Sequence, residues 1–171
     1  ATTVVAAGLL LGGRAAVVVP NGVLFGDNIA ARIKEELLRE FNLHTIVRLP
    51  QGVFAPYTDI PSNLVFFDRR GPTQSIWYYE LPLPEGRKKY SKTAPIQIEE
   101  FVPVKAWWTQ REEGPQSWKV SAEQVAAKGF NLDLKNPNAK TGLAYADPKE
   151  LVSSMRGEPI TRELAEEALR G

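Results

Sequence analysis

Apolar and polar residues alternate in blocks that predict an α/β fold for the first half of the chain. Ala15–Val19 is a continuous, valine-rich run, which is typical of a strand covered on both faces, and Pro20-Asn21-Gly22 would end it as a turn. We therefore expect this strand at the centre of a sheet. Apolar residues then recur every four positions, as on one face of a helix, at Ile29, Ile33, Leu37 and Phe41. Asp27 can cap this helix, Asn42 can close it, and charged residues such as Lys34 would occupy its other face.

Three further apolar runs predict the rest of the sheet. His44–Leu49 would be the second strand of a right-handed strand-helix-strand unit with parallel strands. Asn63–Phe67 and Ile76–Tyr79 are rich in β-prone residues, and we expect them as antiparallel additions at the sheet edge. The loop from Pro50 to Pro61 has 12 residues, and loops of that size in compact domains are usually functional or mobile. It is the first place to expect a site.

Helical spacing dominates the second half of the chain. Apolar residues from Phe101 to Trp108 predict a helix near 102–111, with Pro103 in its first turn or at a break. Ser121 and Gln124 form a capping box for a short helix that Gly129 ends. The remaining predicted helices are an apolar one at 3–11, a second at 147–157 and a third at 161–170.

Composition excludes several kinds of chemistry. A 43% apolar content supports one sizeable core, and a net charge of +1 gives no global attraction to nucleic acid or anionic membrane. Without cysteine the chain has no disulfide, no thiolate nucleophile and no cysteine-based zinc site, which fits a reducing, cytoplasmic setting. The single histidine, His44, leaves no imidazole pair for a metal, and we expect none. We interpret His44 as a structural residue that interacts favourably with the end of the preceding helix.

Two expectations come from the first residues of the sequence. The apolar run Val4–Leu11 is well below the roughly 18 residues that a membrane span needs, so we expect no membrane partner. The sequence begins Ala1-Thr2-Thr3 without a methionine. We therefore expect it to start partway through a longer protein.

No common nucleotide or hydrolase motif is present. Gly22 and Gly26 do not supply the three ordered glycines of a dinucleotide fingerprint, no Walker sequence occurs, and no elbow serine follows the first strand. Phe54 and Tyr57 in the long loop are weaker candidates. Either ring could stack on a planar ligand such as a nucleobase, or fold back onto the core, which is the commoner fate of such side chains.

Basic and aromatic clusters leave further alternatives open. A basic cluster after Pro82 and Pro84 could contact phosphate, although such runs are more often solvated loop segments; it consists of Arg87, Lys88, Lys89 and Lys92. Three tryptophans are interpreted as core or interface anchors, namely Trp107, Trp108 and Trp118.

Three stretches taken in order carry a family resemblance: GRA with VVVPNGVLF in 13–25, LPQGVF in 49–54, and NLVFF in 63–67. The chain closely resembles the catalytic domain of adenine-specific DNA methyltransferases, specifically the modification subunit of type I restriction-modification systems. The match is strong over 12–80 and recognisable at 118–121 and 131–133. It implies a partial Rossmann-like class I methyltransferase sheet, with parallel strands and antiparallel edge strands, in residues 1–95. A mainly helical region for partner or DNA contact would follow in residues 96–171.

The resemblance also implies a site. Phe54 matches the family's aromatic that stacks on a flipped-out adenine, and Pro20, Asn21 and Gly22 would shape the wall beside it. The implied reaction transfers a methyl group from S-adenosylmethionine to the exocyclic amine of adenine. The family's glycine-rich donor loop and its Asn-Pro-Pro-aromatic tetrapeptide do not occur, since Asn136-Pro137-Asn138 is only superficially similar. We therefore expect no catalytic residue in this chain, donor binding mainly by residues that it lacks, and no activity of the chain alone.

The implied partners are DNA, a DNA-specificity subunit contacted by the helices after Trp118, a restriction subunit and a second copy of the modification subunit. An alternative is a non-catalytic interaction module, a split or degenerate methyltransferase half that docks the specificity subunit. A half-sheet of this kind would expose surface around its first strand and tend to associate through that edge.

Overall fold

The structure, a computed structural model, describes residues 12–138. The described part forms one compact unit. It contains five strands and four α-helices. The strands are β1 (Arg14–Pro20), β2 (Asn42–Arg48), β3 (Ser62–Asp68), β4 (Ser75–Glu80) and β5 (Ser117–Ser121). The helices are α1 (Asn21–Phe25), α2 (Ile29–Glu40), α3 (Val102–Thr109), which a 3₁₀ turn (Ile98–Phe101) precedes, and α4 (Ala122–Ala127).

The strands form one mixed sheet in the order β1-β3-β2-β4-β5. β3 lies antiparallel between β1 and β2, β4 pairs parallel with β2, and β5 pairs antiparallel with β4. This arrangement confirms the α/β class and the mixture of parallel and antiparallel strands. The predicted order was wrong in two respects. β3 is an inserted strand rather than an edge addition, because the long loop after β2 returns the chain between β1 and β2, and β4 is parallel.

β1 was predicted to be central and covered on both faces, but within residues 12–138 it is the outermost strand and alternates in burial. Ala15, Val17 and Val19 face the core. Val18 is 53% exposed on the opposite face. An uninterrupted valine run carries no alternation, so the sequence could not show that one face of β1 lies open in the described chain.

Helix α2 packs on the sheet through a different stripe from the predicted one. Leu37 and Phe41 are buried as expected, but Ile29 is 75% exposed and Lys34 is 4% exposed. The Lys34 ammonium donates to the carbonyl oxygens of Leu24 and Gly26 at 2.7 and 2.8 Å. A cation here stabilises carbonyls that the end of α1 leaves without helical partners. Burial lowers the pKa of Lys34, against an opposing effect of Asp27.

The predicted ends of α2 were also wrong. Asn28, not Asp27, occupies the N-cap position, and it makes no side-chain capping bond. Phe41 ends the helix, and Asn42 already belongs to β2. The chain therefore enters β2 directly from the helix, with no intervening turn.

The two faces of the sheet carry separate clusters of buried side chains. Helix α2 and the segment 125–134 cover one face, where Trp118 stacks on Tyr78 with ring centroids 5.1 Å apart. Helix α3 covers β2 and β4 on the other face, where Trp107 and Trp108 pack against the second cluster. Each of the three tryptophans is thus packed against a core cluster in this chain.

The C-terminal predictions have mixed outcomes. Helix α3 begins at Val102 with Pro103 in its first turn and ends at Thr109. The capping box of Ser121 and Gln124 opens α4, and both of its hydrogen bonds are present. β5 extends the sheet beyond residue 95, whereas the proposed division of roles between 1–95 and 96–171 stays a prediction. The helices predicted at 3–11, 147–157 and 161–170 lie outside the described residues. None of the described helices has the length and apolar character of a membrane span.

Candidate functional site

The carboxyl ends of β1, β2 and β4 meet at one edge of the sheet, where β3 begins. Ligands of open α/β sheets bind outside this edge, because the strand ends and their loops diverge there. A cavity of about 410 Å³ lies at this position. Asn21, Arg48, Gln51, Asn63 and Glu80 supply its polar lining, together with leucine and proline side chains. We call it the strand-end cavity.

Asn21, one of the predicted wall residues, is anchored in this cavity. Its backbone N–H donates to the carbonyl oxygen of Pro61 at 2.8 Å, which ties the end of β1 to the start of β3. Its side-chain oxygen accepts hydrogen bonds from Asn63 at 3.2 Å and from Arg48 at 3.4 Å. Two amides and a guanidinium are thereby brought together from three separate strand ends.

Pro20 and Gly22 flank Asn21, but their predicted turn was wrong. Pro20 ends β1 in register with Ser62, and both Pro20 and Gly22 are exposed. Asn21 and Gly22 open the short helix α1, and the Gly22 carbonyl oxygen accepts from the Gly26 N–H at 3.0 Å. The strand therefore passes directly into a helix at the edge of the cavity.

Arg48 is a site residue that the sequence interpretation missed. It ends β2 and donates to the carbonyl oxygen of Leu134 at 2.7 Å. Its guanidinium also forms an ion pair with Asp133. The arginine side chain is 17% exposed, so its charge is neutralised where it is partly withdrawn from water. A charged residue near the end of the predicted strand His44–Leu49 was the available signal.

Phe54 lies in a series of turns from Gln51 to Tyr57 and is 37% exposed. It belongs to neither core cluster. Backbone bonds from Ala55 to Gly52 and from Tyr57 to Phe54, each 3.0 Å between nitrogen and oxygen, hold the turns together. The Phe54 ring is therefore presented at the surface, and Tyr57 is almost fully exposed.

The loop that carries Phe54 is fixed to the segment around Tyr90. The Tyr90 N–H donates to the carbonyl oxygen of Gln51 at 3.0 Å. Gly52 is buried with a φ of +81°, and a Cβ there would lie 2.2 Å from the carbonyl oxygen of Tyr90. Only glycine allows this approach. Tyr90 is itself buried, and its hydroxyl donates to the Glu100 carboxylate.

Two residues of the basic cluster, Arg87 and Lys89, make contacts within the chain. The Arg87 guanidinium lies 5.0 Å from the centre of the Tyr90 ring and 4.0 Å from the Glu100 carboxylate. Lys89 pairs with Asp59 at 3.3 Å, which links the cluster to the Phe54 loop. Among residues 12–138, Lys88 and Lys92 have no acidic partner within 4.0 Å and are exposed. A phosphate-binding role stays a prediction for this cluster.

His44 lies near the start of β2, at the opposite end of the sheet from the strand-end cavity. Its Nδ1 is 2.8 Å from the Thr45 hydroxyl and its Nε2 is 3.8 Å from the Asp68 carboxylate. Burial lowers the pKa of His44, and so do the charges of Arg111 and Arg70, against the opposing effect of Asp68. The contacts of His44 are therefore with side chains of the sheet and of α3. His44 does not line the strand-end cavity. Within the described residues, no three His, Cys, Asp or Glu side chains converge in a metal-binding arrangement.

Comparison with known proteins supplies the family context. The family described as N-6 DNA Methylase matches residues 5–143. The type I restriction enzyme EcoEI methylase subunit of Escherichia coli is 49% identical over 148 residues, which cover 82% of this chain and 30% of the relative.

Two solved structures share both sequence and fold with the chain. A modification subunit from Vibrio vulnificus YJ016 is 60% identical, with a TM-score of 0.72 over 77% of this chain and 29% of that one. A structure concerned with complex assembly and conformational transition of the type I R-M system is 41% identical, with a TM-score of 0.73 over 94% of this chain and 34% of that one. The chain thus spans about a third of the length of these proteins.

Proposed function

Because the chain belongs to the N-6 DNA methylase family, we propose that its parent protein is the adenine-specific methyltransferase subunit of a type I restriction-modification system. The parent transfers a methyl group from S-adenosylmethionine to the exocyclic amine of adenine in DNA. This chain contributes the wall that receives the adenine. The observation that supports this role is the partly exposed Phe54 ring, held on a closely packed loop at the carboxyl edge of the sheet.

Methylation of adenine inside a duplex requires the base to leave the stack. An enzyme that acts on the exocyclic amine recovers part of the lost stacking energy when an aromatic ring receives the extruded base. The Phe54 ring has exposed surface for that contact, and its loop is tied to Tyr90 through Gln51 and Gly52. A ring held in place before binding loses less conformational freedom when the base arrives.

The strand-end cavity has the polarity that an uncharged base needs. Asn21 and Asn63 carry side-chain amides, which offer both donors and acceptors to the edge of a base. Arg48 is neutralised by Asp133, so its charge does not dominate the cavity. Pro20 and Gly22 stand on either side of Asn21 in the chain; they do not line the cavity themselves, and their proposed part in the wall is at its edge.

S-adenosylmethionine does not fit the described residues. β1 passes through Pro20 directly into α1, with no glycine-rich loop between strand and helix. The family's Asn-Pro-Pro-aromatic tetrapeptide is also missing from the sequence. We therefore assign donor binding and catalysis to other parts of the parent protein, and we expect the isolated chain to be inactive.

The partners follow from the same proposal. DNA is the substrate, and the parent would work in the cytoplasm with a DNA-specificity subunit, a restriction subunit and a second modification subunit. Lys88 and Lys92 are the residues of the basic cluster with charge available for DNA phosphate. An alternative function is a split or degenerate half of the enzyme that only docks the specificity subunit.

The test is Phe54→Ala in the complete enzyme, with 2-aminopurine at the target adenine to report extrusion of the base. Loss of one aromatic stacking contact weakens base binding by roughly 5- to 100-fold, and the fluorescence increase should fall accordingly. Donor binding measured by calorimetry should stay unchanged. Tyr57→Ala is the matched control, because Tyr57 lies in the same loop and is 92% exposed, and Phe54→Trp should restore the signal.

Equal fluorescence from the Phe54→Ala and parent enzymes would refute the stacking role of Phe54. The same calorimetry separates the two candidate functions. Stoichiometric donor binding by the complete parent protein supports the enzyme, whereas a complete parent that binds no donor supports the docking module.

A further inference from the structure

A second cavity, of about 600 Å³, lies at the end of the sheet opposite the strand-end cavity. β1 and β2 begin there and β3 ends there, so the seven-residue strands separate the two cavities by about 20 Å. Arg14 and Arg111 contribute to its wall from β1 and from the residues after α3. The other polar or aromatic side chains that matter for its chemistry are His44, Asp68, Arg70 and Trp108.

Among the described residues that line this second cavity, Asp68 is the one carboxylate, and it already has its partners. The Asp68 side chain is 1% exposed and pairs with the Arg70 guanidinium at 2.5 Å. It also accepts hydrogen bonds from the Asn42 amide and the Arg70 N–H, each at 3.2 Å. These contacts hold the pKa of Asp68 below its usual value, the hydrogen bond from Arg70 being the main cause. Asp68 and Arg70 therefore form a matched pair, and their charges cancel.

Arg14 and Arg111 are not matched in this way. Within residues 12–138, no carboxylate oxygen lies within 4.0 Å of either guanidinium. The guanidinium of Arg111 instead lies over Trp108, 4.6 Å from the ring centre, and 5.6 Å from that of Trp107. Stacking of this kind uses the flat face of the guanidinium and leaves the N–H groups at its edge free to donate.

The surroundings of the Arg111 guanidinium strengthen its attraction for an anion. Burial lowers the pKa of Arg111, so this cation has lost part of its hydration. His44 faces the same cavity, and burial together with the charges of Arg111 and Arg70 lowers its pKa, against the opposing effect of Asp68. These effects disfavour the charged imidazole, so the excess positive charge of the cavity is assigned to Arg14 and Arg111.

We propose that this second cavity binds a phosphate group, with the guanidinium groups of Arg14 and Arg111 as its ligands. Guanidinium forks match the oxygen spacing of phosphate and donate to two of its oxygens at once. The volume lies in the range of small-molecule sites, and the apolar wall from Phe66 and Trp108 reduces competition from water. The site is distinct from the strand-end cavity and does not depend on the function proposed for it.

Phosphate groups of this kind occur in free nucleotides and in the backbone of nucleic acids.

The experiment adds inorganic phosphate in steps to the 171-residue chain and follows tryptophan fluorescence and heat. The starting buffer has low ionic strength and contains no phosphate. A single saturable site is expected. Because charge-assisted hydrogen bonds contribute strongly, Arg14→Gln and Arg111→Gln should each weaken binding by about 10- to 100-fold. Arg32→Gln, an exposed arginine on α2, is the control and should have no effect.

Arg14 lies on an exposed strand position, so its variant should keep the native circular dichroism spectrum and the test does not depend on the folding of the Arg111 variant. Competition by adenosine monophosphate identifies a free nucleotide as the source, and competition by duplex DNA identifies a backbone phosphate. Either result supports a phosphate site. Absence of saturable binding, an equal loss in the Arg32 control, or glutamate binding as tightly as phosphate would overturn the proposal.

Discussion

Replacement of Gly52 by alanine tests how the Phe54 loop is held in place. A Cβ at this position would lie 2.2 Å from the carbonyl oxygen of Tyr90 and 3.0 Å from its carbonyl carbon. Both atoms are backbone, so no side-chain rotation can relieve the collision. The φ of +81° adds strain for any residue with a Cβ.

Two contributions set the size of the effect. An L-residue in the left-handed region costs about 1–2 kcal/mol, and overpacking against a fixed neighbour costs about 1–3 kcal/mol more. Gly52→Ala should therefore destabilise the chain by about 2–5 kcal/mol. Gly86→Ala is a matched control, because Gly86 has a φ of +77° and a Cβ added there would meet no atom within 4 Å. It should show the first contribution alone.

Urea unfolding of the two variants isolates the contact with Tyr90. For a urea dependence of about 1–3 kcal/mol/M, the Gly52→Ala midpoint should lie roughly 1 M below that of Gly86→Ala. In the complete enzyme, Gly52→Ala should also reduce the 2-aminopurine signal, since the Phe54 ring moves with its loop. Equal midpoints for the two variants would show that the loop does not depend on its approach to Tyr90.

Three further predictions concern titrating and paired side chains. The stability of the chain should fall as the pH rises from 10 to 12, because burial raises the pKa of Tyr90 to about 12 and the unfolded chain loses that proton first. Tyr90→Phe should make the urea midpoint depend less on pH over this range, and an unchanged slope would contradict the prediction. Asp68 has a lowered pKa, so its contribution to stability is present above pH 3.8 and is lost as the pH falls through its folded-state pKa; Asp68→Asn should show a smaller loss in acid unfolding than the parent chain. Arg48→Met should lower the free energy of unfolding, measured in urea, by about 2–3 kcal/mol, because it leaves Asp133 and the Leu134 carbonyl without their partner. The double variant Arg48→Met with Asp133→Asn should lose less stability than the sum of the single variants. Strict additivity would argue against the ion pair.

Local pattern predicted most of the elements but not their order in the sheet. The helix after Asp27, the strands around Ile46 and Val65, and the capping box at Ser121 all follow from residue spacing over a few positions. The insertion of β3 between β1 and β2 depends instead on where a long loop returns the chain. An apolar run indicates that a strand is buried. It does not indicate which strand it pairs with, because strands of similar composition can take the same place in a sheet.

The candidate site could be predicted only in part, for a related reason. Resemblance pointed to Asn21 and Phe54, since both lie in ordered motifs. Arg48, Asn63 and Asp133 come from separate segments, and each looks unremarkable within its own stretch of sequence. Only the sheet brings their side chains to one edge. Residues that form a site through long-range contacts carry no local signature.

Lys34 shows the limit of the hydrophobic pattern most directly. Spacing assigned Ile29 to the buried face of α2 and Lys34 to its exposed face, and the structure reverses both assignments. The reason lies in α1, whose last carbonyl groups point at the helix and need a donor. A buried ammonium satisfies two of them at once, which offsets its loss of hydration. The strand-end cavity depends on this contact, because Lys34 fixes α1 and α1 begins at Asn21. A lysine that pattern analysis would place in solvent therefore helps to position the wall proposed to receive the adenine.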